Sequence, residues 1–233
     1  MIKGFFPNGV EQRIRDSAWW QKAAITPDNH YSNQSGIMLT DHLEAVHSNV
    51  SALFQKKESG FYGELFKMLD EFQLEKDAVA DELKIVALLH DIGKPAEDKS
   101  LVIAHPLTGK PAHQRHGLVA LMAAMEIFSD FPMDDHQRMR IYRTVELHDI
   151  SYGLFREFSI TGDEPAEEKW HYISHKIDPK TGIGLYYLLL FKLADTHGHL
   201  HLNDVTWFYE TVAAQYFQPR GWNLPIPTEE DIR

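Results

Sequence analysis

The stretch VALLHDIGKP, residues 86–95, decides how the fold and the chemistry of this chain are interpreted. An apolar segment of helical character ends in His90 and Asp91, and a glycine, a lysine and Pro95 follow. An aspartate is unfavourable at the C-terminal end of a helix, where the helix dipole is negative, unless a cation lies opposite it. Imidazole nitrogen and carboxylate oxygen together suit a divalent first-row metal. The stretch therefore predicts a metal site at the end of a buried helix.

Other histidines and aspartates stand in segments of helical character along the chain. Asp195 closes the apolar run LLLFKLAD, residues 188–195, and a carboxylate in such a place needs a partner because burying it alone is costly. The full set of candidate metal ligands comprises His42, His90, Asp91, His116, His148 and Asp195. Four histidines and two aspartates suit one or two divalent ions.

These residues resemble the H…HD…D pattern of the HD-domain superfamily of metal-dependent phosphohydrolases. His42, the pair His90-Asp91 and Asp195 match its three parts. His116 and His148 match two further histidines that many members carry at a two-metal site. The stretch HDIGKPAEDKSLVIAHPLTGKPAHQRHGLVALM looks especially like the HD domains of tRNA nucleotidyltransferases and related phage and bacterial phosphohydrolases. The resemblance spans roughly residues 38–202.

The resemblance implies two divalent ions (Mn, Mg, Ni, Co or Fe), bridged by Asp91 because each carboxylate oxygen can serve one ion. Asp91 and Lys94 are then the candidate catalytic residues. In relatives this lysine contacts an oxyanion of the substrate, where an ammonium group stabilises the charge that grows on a transferring phosphoryl group. The alternative explanation of Lys94 is a cation favoured at a helix end. Lys94 and Arg115 are the candidate substrate-binding residues.

Neighbouring histidines compete with two of the candidate ligands. His47 follows His42 by five residues, which on a helix is about 140° past one full turn, so both rings cannot face one ion. His42 fits the family pattern, and His47 is expected to be a surface or outer residue. His105 and His113 lie close to His116, but only His116 stands directly before a run of small residues, as in relatives. His113 is expected to pack in the wall of the pocket.

The remaining candidates are assigned supporting roles. Asp149 directly follows His148 and is interpreted as an orienter of a histidine ring. Three alternating histidines near the C-terminal side of Asp195 are interpreted as surface or pocket-rim residues, because spacing of two disperses them around a helix. These are His197, His199 and His201.

Composition narrows the class of protein. With 233 residues, 43% hydrophobic and 24% charged, the chain is typical of a globular protein with one sizeable core. It has no cysteine, which excludes disulfides, thiolate metal sites and a cysteine nucleophile, and which suits the cytoplasm. No signal peptide is expected, because residues 1–10 contain no long apolar stretch. The longest apolar run, residues 183–194, contains Lys192 and is too short to span a bilayer. No membrane partner is expected.

Charge indicates the kind of partner. The formal net charge of −11 argues against binding of long nucleic acid, whose protein partners are normally basic. A small phosphorylated substrate, which includes nucleotides, fits better, since bound divalent cations dominate the local field. The sequence leaves the oligomeric state open.

The chain is predicted to form a single HD-type domain over residues 1–233, all-α with one small β-hairpin within residues 97–112. A cap at Thr40 is predicted to open a helix that continues to about Phe54. The other helices are predicted at about 61–74, 76–91, 114–129, 134–150, 165–176, 183–201 and 203–217, with an extended tail from Gln218. Segments 57–78 and 151–181 are interpreted as insertions, and either could cover the pocket.

A second class of enzyme uses a similar ligand set. The six candidate ligands also resemble those of mixed-valent di-iron oxygenases such as myo-inositol oxygenase and the organophosphonate oxygenases, which also can carry a lysine at the position of Lys94. Tyr31 stands where some of them have a gating tyrosine, but Gln34 replaces the glutamate that accompanies it. That departure, together with the hairpin before His116, favours the hydrolase.

Overall fold

The computed structural model describes residues 9–28, 36–95, 99–104, 111–177, 181–196 and 203–232. Over these residues the protein is all-α with one small β-hairpin, which confirms the predicted fold class. The helices are α1 Val10–Arg15, α2 Ala18–Ala24, α3 Leu39–Phe54, α4 Gly60–Glu71, α5 Lys76–Leu89, α6 His116–Ile127, α7 Asp135–Leu147, α8 Ile150–Thr161, α9 Glu167–Ile177, α10 Ile183–Thr196, α11 Asn203–Val212 and α12 Glu229–Ile232.

The hairpin consists of β1 Val102–Ala104 and β2 Pro111–His113. The strands are antiparallel, with Val102 opposite His113 and Ala104 opposite Pro111. A 3₁₀ turn at Lys99–Leu101 leads into β1. The hairpin therefore connects α5 to α6 at the place the sequence predicts. Its turn, with His105, lies outside the described residues.

Helix α10 forms the centre of the hydrophobic core. Every residue from Gly184 to Ala194 is buried, and α3, α5 and α7 all pack against this helix. Each fully buried leucine contributes about 2 kcal/mol of hydrophobic free energy relative to an exposed one. The apolar run that was too short for a membrane span is thus the central helix of the fold. No helix among the described residues has both the length and the apolar character that crossing a membrane requires.

Several predicted boundaries differ from the structure for local reasons. Helix α3 begins at Leu39 rather than after a cap at Thr40, because the carboxylate of Asp41 accepts a hydrogen bond from the backbone N–H of Met38 at 2.8 Å. Helix α5 ends at Leu89, well before Pro95, and the chain continues in turns.

The sequence analysis missed three helices, namely α1, α2 and α8. The predicted helix over 203–217 is α-helical only to Val212, after which the backbone widens into a π-helical turn over Ala213–Phe217. The tail from Gln218 contains one 3₁₀ turn and the short α12.

The two segments interpreted as insertions contain helices that pack against the core. In segment 57–78, α4 buries Leu65, Phe66 and two further apolar side chains. In segment 151–181, α8 buries Ser151 and Leu154 and begins two residues after His148, so this helix borders the candidate site.

Candidate metal centre

All six predicted metal ligands meet at one end of the helical core. Five helices end or begin there, and each contributes at least one ligand side chain. His42 lies in the first turn of α3, His90 and Asp91 directly follow α5, His116 begins α6, His148 directly follows α7, and Asp195 lies in the last turn of α10. Four of the six are buried, and His116 and Asp195 are partly exposed.

His42, His90 and Asp91 form the first of two groups that could hold a metal ion. The Nε2 atoms of His42 and His90 are 3.1 Å apart, and Asp91 Oδ2 lies 3.5 Å from the first and 3.4 Å from the second. Asp195 completes this group, since its Oδ1 lies 3.7 Å from His42 Nε2 and 3.4 Å from His90 Nε2.

The second group consists of Asp91, His116 and His148. The Nε2 atoms of His116 and His148 are 3.2 Å apart. Asp91 Oδ1 lies 3.3 Å from His116 Nε2 and 3.4 Å from His148 Nε2. The two oxygens of Asp91 thus face different groups, Oδ2 the first and Oδ1 the second.

The donor set fits divalent metal ions. Metal–ligand bonds of about 2.0–2.2 Å place neighbouring ligand atoms roughly 3–3.6 Å apart in octahedral or tetrahedral coordination. The observed separations, from 3.1 Å between His42 and His90 to 3.7 Å between His42 and Asp195, lie in or near this range. Imidazole nitrogen and carboxylate oxygen suit iron, cobalt, nickel, manganese or zinc, and no softer donor takes part.

Backbone carbonyl groups orient three of the four histidine rings. The Nδ1 atoms of His90, His116 and His148 each lie 2.8–3.0 Å from the carbonyl oxygen of the residue three positions earlier. With Nδ1–H donating to that oxygen, the lone pair of Nε2 points to the centre. The prediction that Asp149 orients a ring is therefore wrong for these three histidines. Its half-exposed carboxylate instead lies 4.0 Å from His116 Nε2, on the metal-facing side of that ring.

Two glycines let α6 approach the other ligand-bearing segments. A β-carbon on Gly93 would stand 2.5 Å from both the backbone nitrogen of Ala120 and the carbonyl oxygen of His116. A β-carbon on Gly117 would stand 2.5 Å from the carbonyl oxygen of Glu146. Real β-carbons do not come this close, so the missing side chains allow His116 to reach both Asp91 and His148.

The charged groups of the centre shift one another's pKa values. Burial alone would lower the pKa of His90, but the carboxylates of Asp91 and Asp195 outweigh burial and raise that pKa to about 10. Burial would raise the pKa of Asp91, yet Lys94 and His90 hold it well below its usual range. Burial is the main reason that the pKa of His116 falls to about 4, only partly opposed by Asp91. Cations and carboxylates are thus already paired where positive ions would bind.

The structure brings Lys94 to the centre, as the sequence analysis expected. Its ammonium group forms an ion pair with Asp91 Oδ2, and its side chain is 19% exposed. A cation with some solvent contact beside Asp91 can reach an anion that arrives from outside. Arg115 lies directly before His116 with left-handed backbone (φ 63°) and an exposed side chain. Its role as a substrate contact stays a prediction.

Among the competing histidines, His47 pairs with Glu11 of α1 at 3.1 Å and lies apart from the ligand groups, in agreement with the expected outer position. His113 is partly buried, and its carbonyl oxygen orients His116. The candidates Tyr31 and Gln34 and the three alternating histidines lie outside the described residues. These histidines are His197, His199 and His201.

The sequence analysis missed the polar groups buried behind the ligands. Arg140 of α7 binds Glu82 of α5 through two hydrogen bonds, and Tyr187 of α10 donates to the same carboxylate. Lys192 forms a second buried ion pair with Asp204, at 2.6 Å. A charged residue inside an apolar helical run is the signal that could have revealed Lys192.

Comparisons with known proteins supply no family assignment. No family model matches this chain, and no curated protein or solved structure matches it significantly. The interpretation of the site therefore rests on its geometry.

Proposed function

We propose that this protein is a divalent-metal-dependent phosphohydrolase of the HD-domain superfamily, in a single domain, acting on a small phosphate ester or nucleotide. One observation carries the proposal: the two oxygens of Asp91 face two separate groups of histidine nitrogens. A carboxylate shared in this way suits a pair of ions about 3.5–4 Å apart, the arrangement used for in-line displacement at phosphorus. The absence of cysteine is compatible with the further proposal of a cytoplasmic location.

When bound, a pair of ions would supply a water of lowered pKa and Lewis-acid contacts to phosphoryl oxygens. His42, His90, Asp91 and Asp195 would hold one ion, and Asp91, His116 and His148 the other. Lys94 donates from the exposed side of the centre and stabilises negative charge on the nonbridging oxygens. The half-exposed carboxylate of Asp149 beside His116 can accept a hydrogen bond from a water or from the leaving group.

The size of the substrate follows from charge. The chain carries a formal net charge of −11, and this negative charge would repel a long polyanion. A small phosphate ester needs only the local cations of the centre, namely the ions, Lys94 and, in this proposal, Arg115.

A mixed-valent di-iron oxygenase remains the second candidate. Two complete groups of nitrogen and oxygen donors, with a bridging carboxylate and Lys94 beside it, would also suit two irons. The β-hairpin between α5 and α6 supports the hydrolase, which is therefore preferred.

The deciding experiment is metal analysis of protein purified without chelator, followed by assays on nucleoside mono- and triphosphates, cyclic nucleotides and an aryl phosphate with Mn²⁺, Mg²⁺, Ni²⁺, Co²⁺ or Fe²⁺. The proposal expects metal-dependent release of phosphate or nucleotide, and its loss in Asp91→Asn. The matched control is Gly153→Ala on α8, whose β-carbon would enter open space. Failure on every phosphate substrate, with oxygen consumption by the ferrous protein on a polyol or phosphonate, would favour the oxygenase.

A further inference from the structure

A buried polar network ties together three of the helices that carry metal ligands. Arg140 of α7 donates from Nε to Glu82 Oε2 at 2.7 Å and from Nη2 to Glu82 Oε1 at 2.5 Å. Tyr187 of α10 donates its hydroxyl to Glu82 Oε2 at 2.7 Å. The side chain of Glu82 is 1% exposed and that of Arg140 10%, while Tyr187 is fully buried. We call these three residues the anchor network.

The anchor network and the ligands lie in the same register on all three helices. His90 follows Glu82 by eight residues, His148 follows Arg140 by eight, and Asp195 follows Tyr187 by eight. Eight helical residues span about 12 Å and slightly more than two turns. His90 and His148 keep helical backbone angles although they follow their helices, so the spacing is helical throughout. The three helices therefore run in the same direction from the anchor network to the metal ligands.

Stability alone is a weak reason for such a network. Taking a carboxylate and a guanidinium out of water costs several kcal/mol each, and replacing a buried ion pair by apolar residues of similar volume is often neutral or stabilising. Contacts between apolar side chains are not directional, so they allow one helix to slide along another. A bidentate Arg–Glu pair has one geometry and so sets one axial register.

We propose that Glu82, Arg140 and Tyr187 are positioning residues, which set the axial register of α5, α7 and α10 so that the metal ligands eight residues further on converge. The link from Arg140 to Glu82 places His148 relative to Asp91 and thus governs the second group. The link from Tyr187 to Glu82 places Asp195 relative to His90 and thus governs the first. This inference rests on the metal centre of the proposed function, but not on the reaction catalysed there.

Two variants test it, with Co²⁺ binding to the metal-free full-length protein as the readout. The first is Glu82→Leu/Arg140→Met/Tyr187→Phe, which replaces the whole network by apolar groups. No polar atom of the network then stays buried without its partner. The second is Tyr187→Phe, which removes a single hydroxyl. Its matched control is Tyr186→Phe: Tyr186 is the adjacent residue, is equally buried, and donates its hydroxyl to the Leu65 carbonyl oxygen of α4, which carries none of the six ligands.

The free energy of unfolding of the triple variant is expected to be no lower than that of the wild type. Its binding of Co²⁺ is expected to be at least tenfold weaker, in line with the effect of residues that support metal ligands. Tyr187→Phe is expected to weaken binding of the first ion about threefold to tenfold, and Tyr186→Phe to leave it unchanged. Co²⁺ affinity is a readout that a purely structural role would leave intact in a folded variant.

The possible failures are distinguishable. If wild-type protein binds Co²⁺ but the folded triple variant binds it equally well, the anchor network does not position the ligands. If the triple variant does not fold, Tyr187→Phe decides alone, and binding equal to that of Tyr186→Phe overturns the inference. If the wild type binds no Co²⁺, Mn²⁺ or Fe²⁺, the proposed function fails and the inference fails with it.

Discussion

The carbonyl oxygen of Glu146 occupies the space that a side chain on Gly117 would need, 2.5 Å from the position of a β-carbon there. Helices α6 and α7 therefore touch backbone to backbone one residue after His116 and two residues before His148. This contact holds the two histidine Nε2 atoms 3.2 Å apart.

Gly117→Ala is expected to force α6 and α7 apart. Overpacking of this kind costs about 1–3 kcal/mol of the free energy of unfolding, and the displacement of His116 should abolish binding of the second ion. Urea unfolding and metal stoichiometry measure the two effects. Gly153→Ala is the matched control, because its β-carbon meets no atom within 4 Å, and it should stabilise α8 by about 0.5–1 kcal/mol. Equal metal content in both variants would contradict the role assigned to the close contact.

Removing His116 or His148 should remove one ion and leave the other. His116→Ala and His148→Ala each delete a nitrogen of the second group, whereas the first group keeps His42, His90, both aspartates and their geometry. Elemental analysis should find roughly one ion per chain, and turnover should largely disappear. Retention of two ions by both variants would mean that the second group is not a metal site.

Lys94→Ala should lower turnover more than it changes metal content. The ammonium group contacts Asp91 and the exterior, so its loss removes charge stabilisation of the reacting phosphoryl group, worth about 10²–10³-fold in rate for a well-placed donor. Elemental analysis and steady-state kinetics on the same preparation check this. Lys94→Arg serves as the charge-conserving comparison. A large loss of metal in Lys94→Ala would show instead that the lysine supports the ligands.

Binding of the first ion should release about one proton near pH 7. In the metal-free protein the pKa of His90 is raised to about 10, so this ring is cationic at neutral pH and must become neutral to bind a metal. Affinity should accordingly rise with pH between about 6 and 9. His116, with its pKa near 4, is already neutral and should release none. Calorimetry in two buffers of different ionisation enthalpy measures the proton count, and a count of zero for the first ion would contradict this electrostatic account.

Polar residues at the ends of apolar helices could be predicted, because a charged or polar side chain next to an apolar run needs a partner once it is buried. His90, Asp91 and Asp195 interrupt apolar runs, and the structure brings them together with the other candidates. Helices α1 and α8 were not predicted, although α8 is as long as α4 and α6, with 12 residues each. The role of Asp149 could not be predicted, because the sequence does not show which group orients each histidine ring. In the structure, backbone carbonyl oxygens do so.

The link between Glu82 and Arg140 could not be inferred from local pattern, because 58 residues separate them. Each looks like an ordinary surface charge of an amphipathic helix when its own segment is considered alone. Only the positions of α5, α7 and α10 in space reveal that one carboxylate serves partners on two other helices.

The common spacing of eight residues has a consequence for how this chain can change in length. Inserting or deleting one residue between Glu82 and His90, or at the equivalent place in α7 or α10, would turn the ligand by about 100° and move it about 1.5 Å along the helix. Changes of length in the turn of the hairpin would leave that register untouched. Related chains are therefore expected to vary in their loops while keeping these three intervals constant.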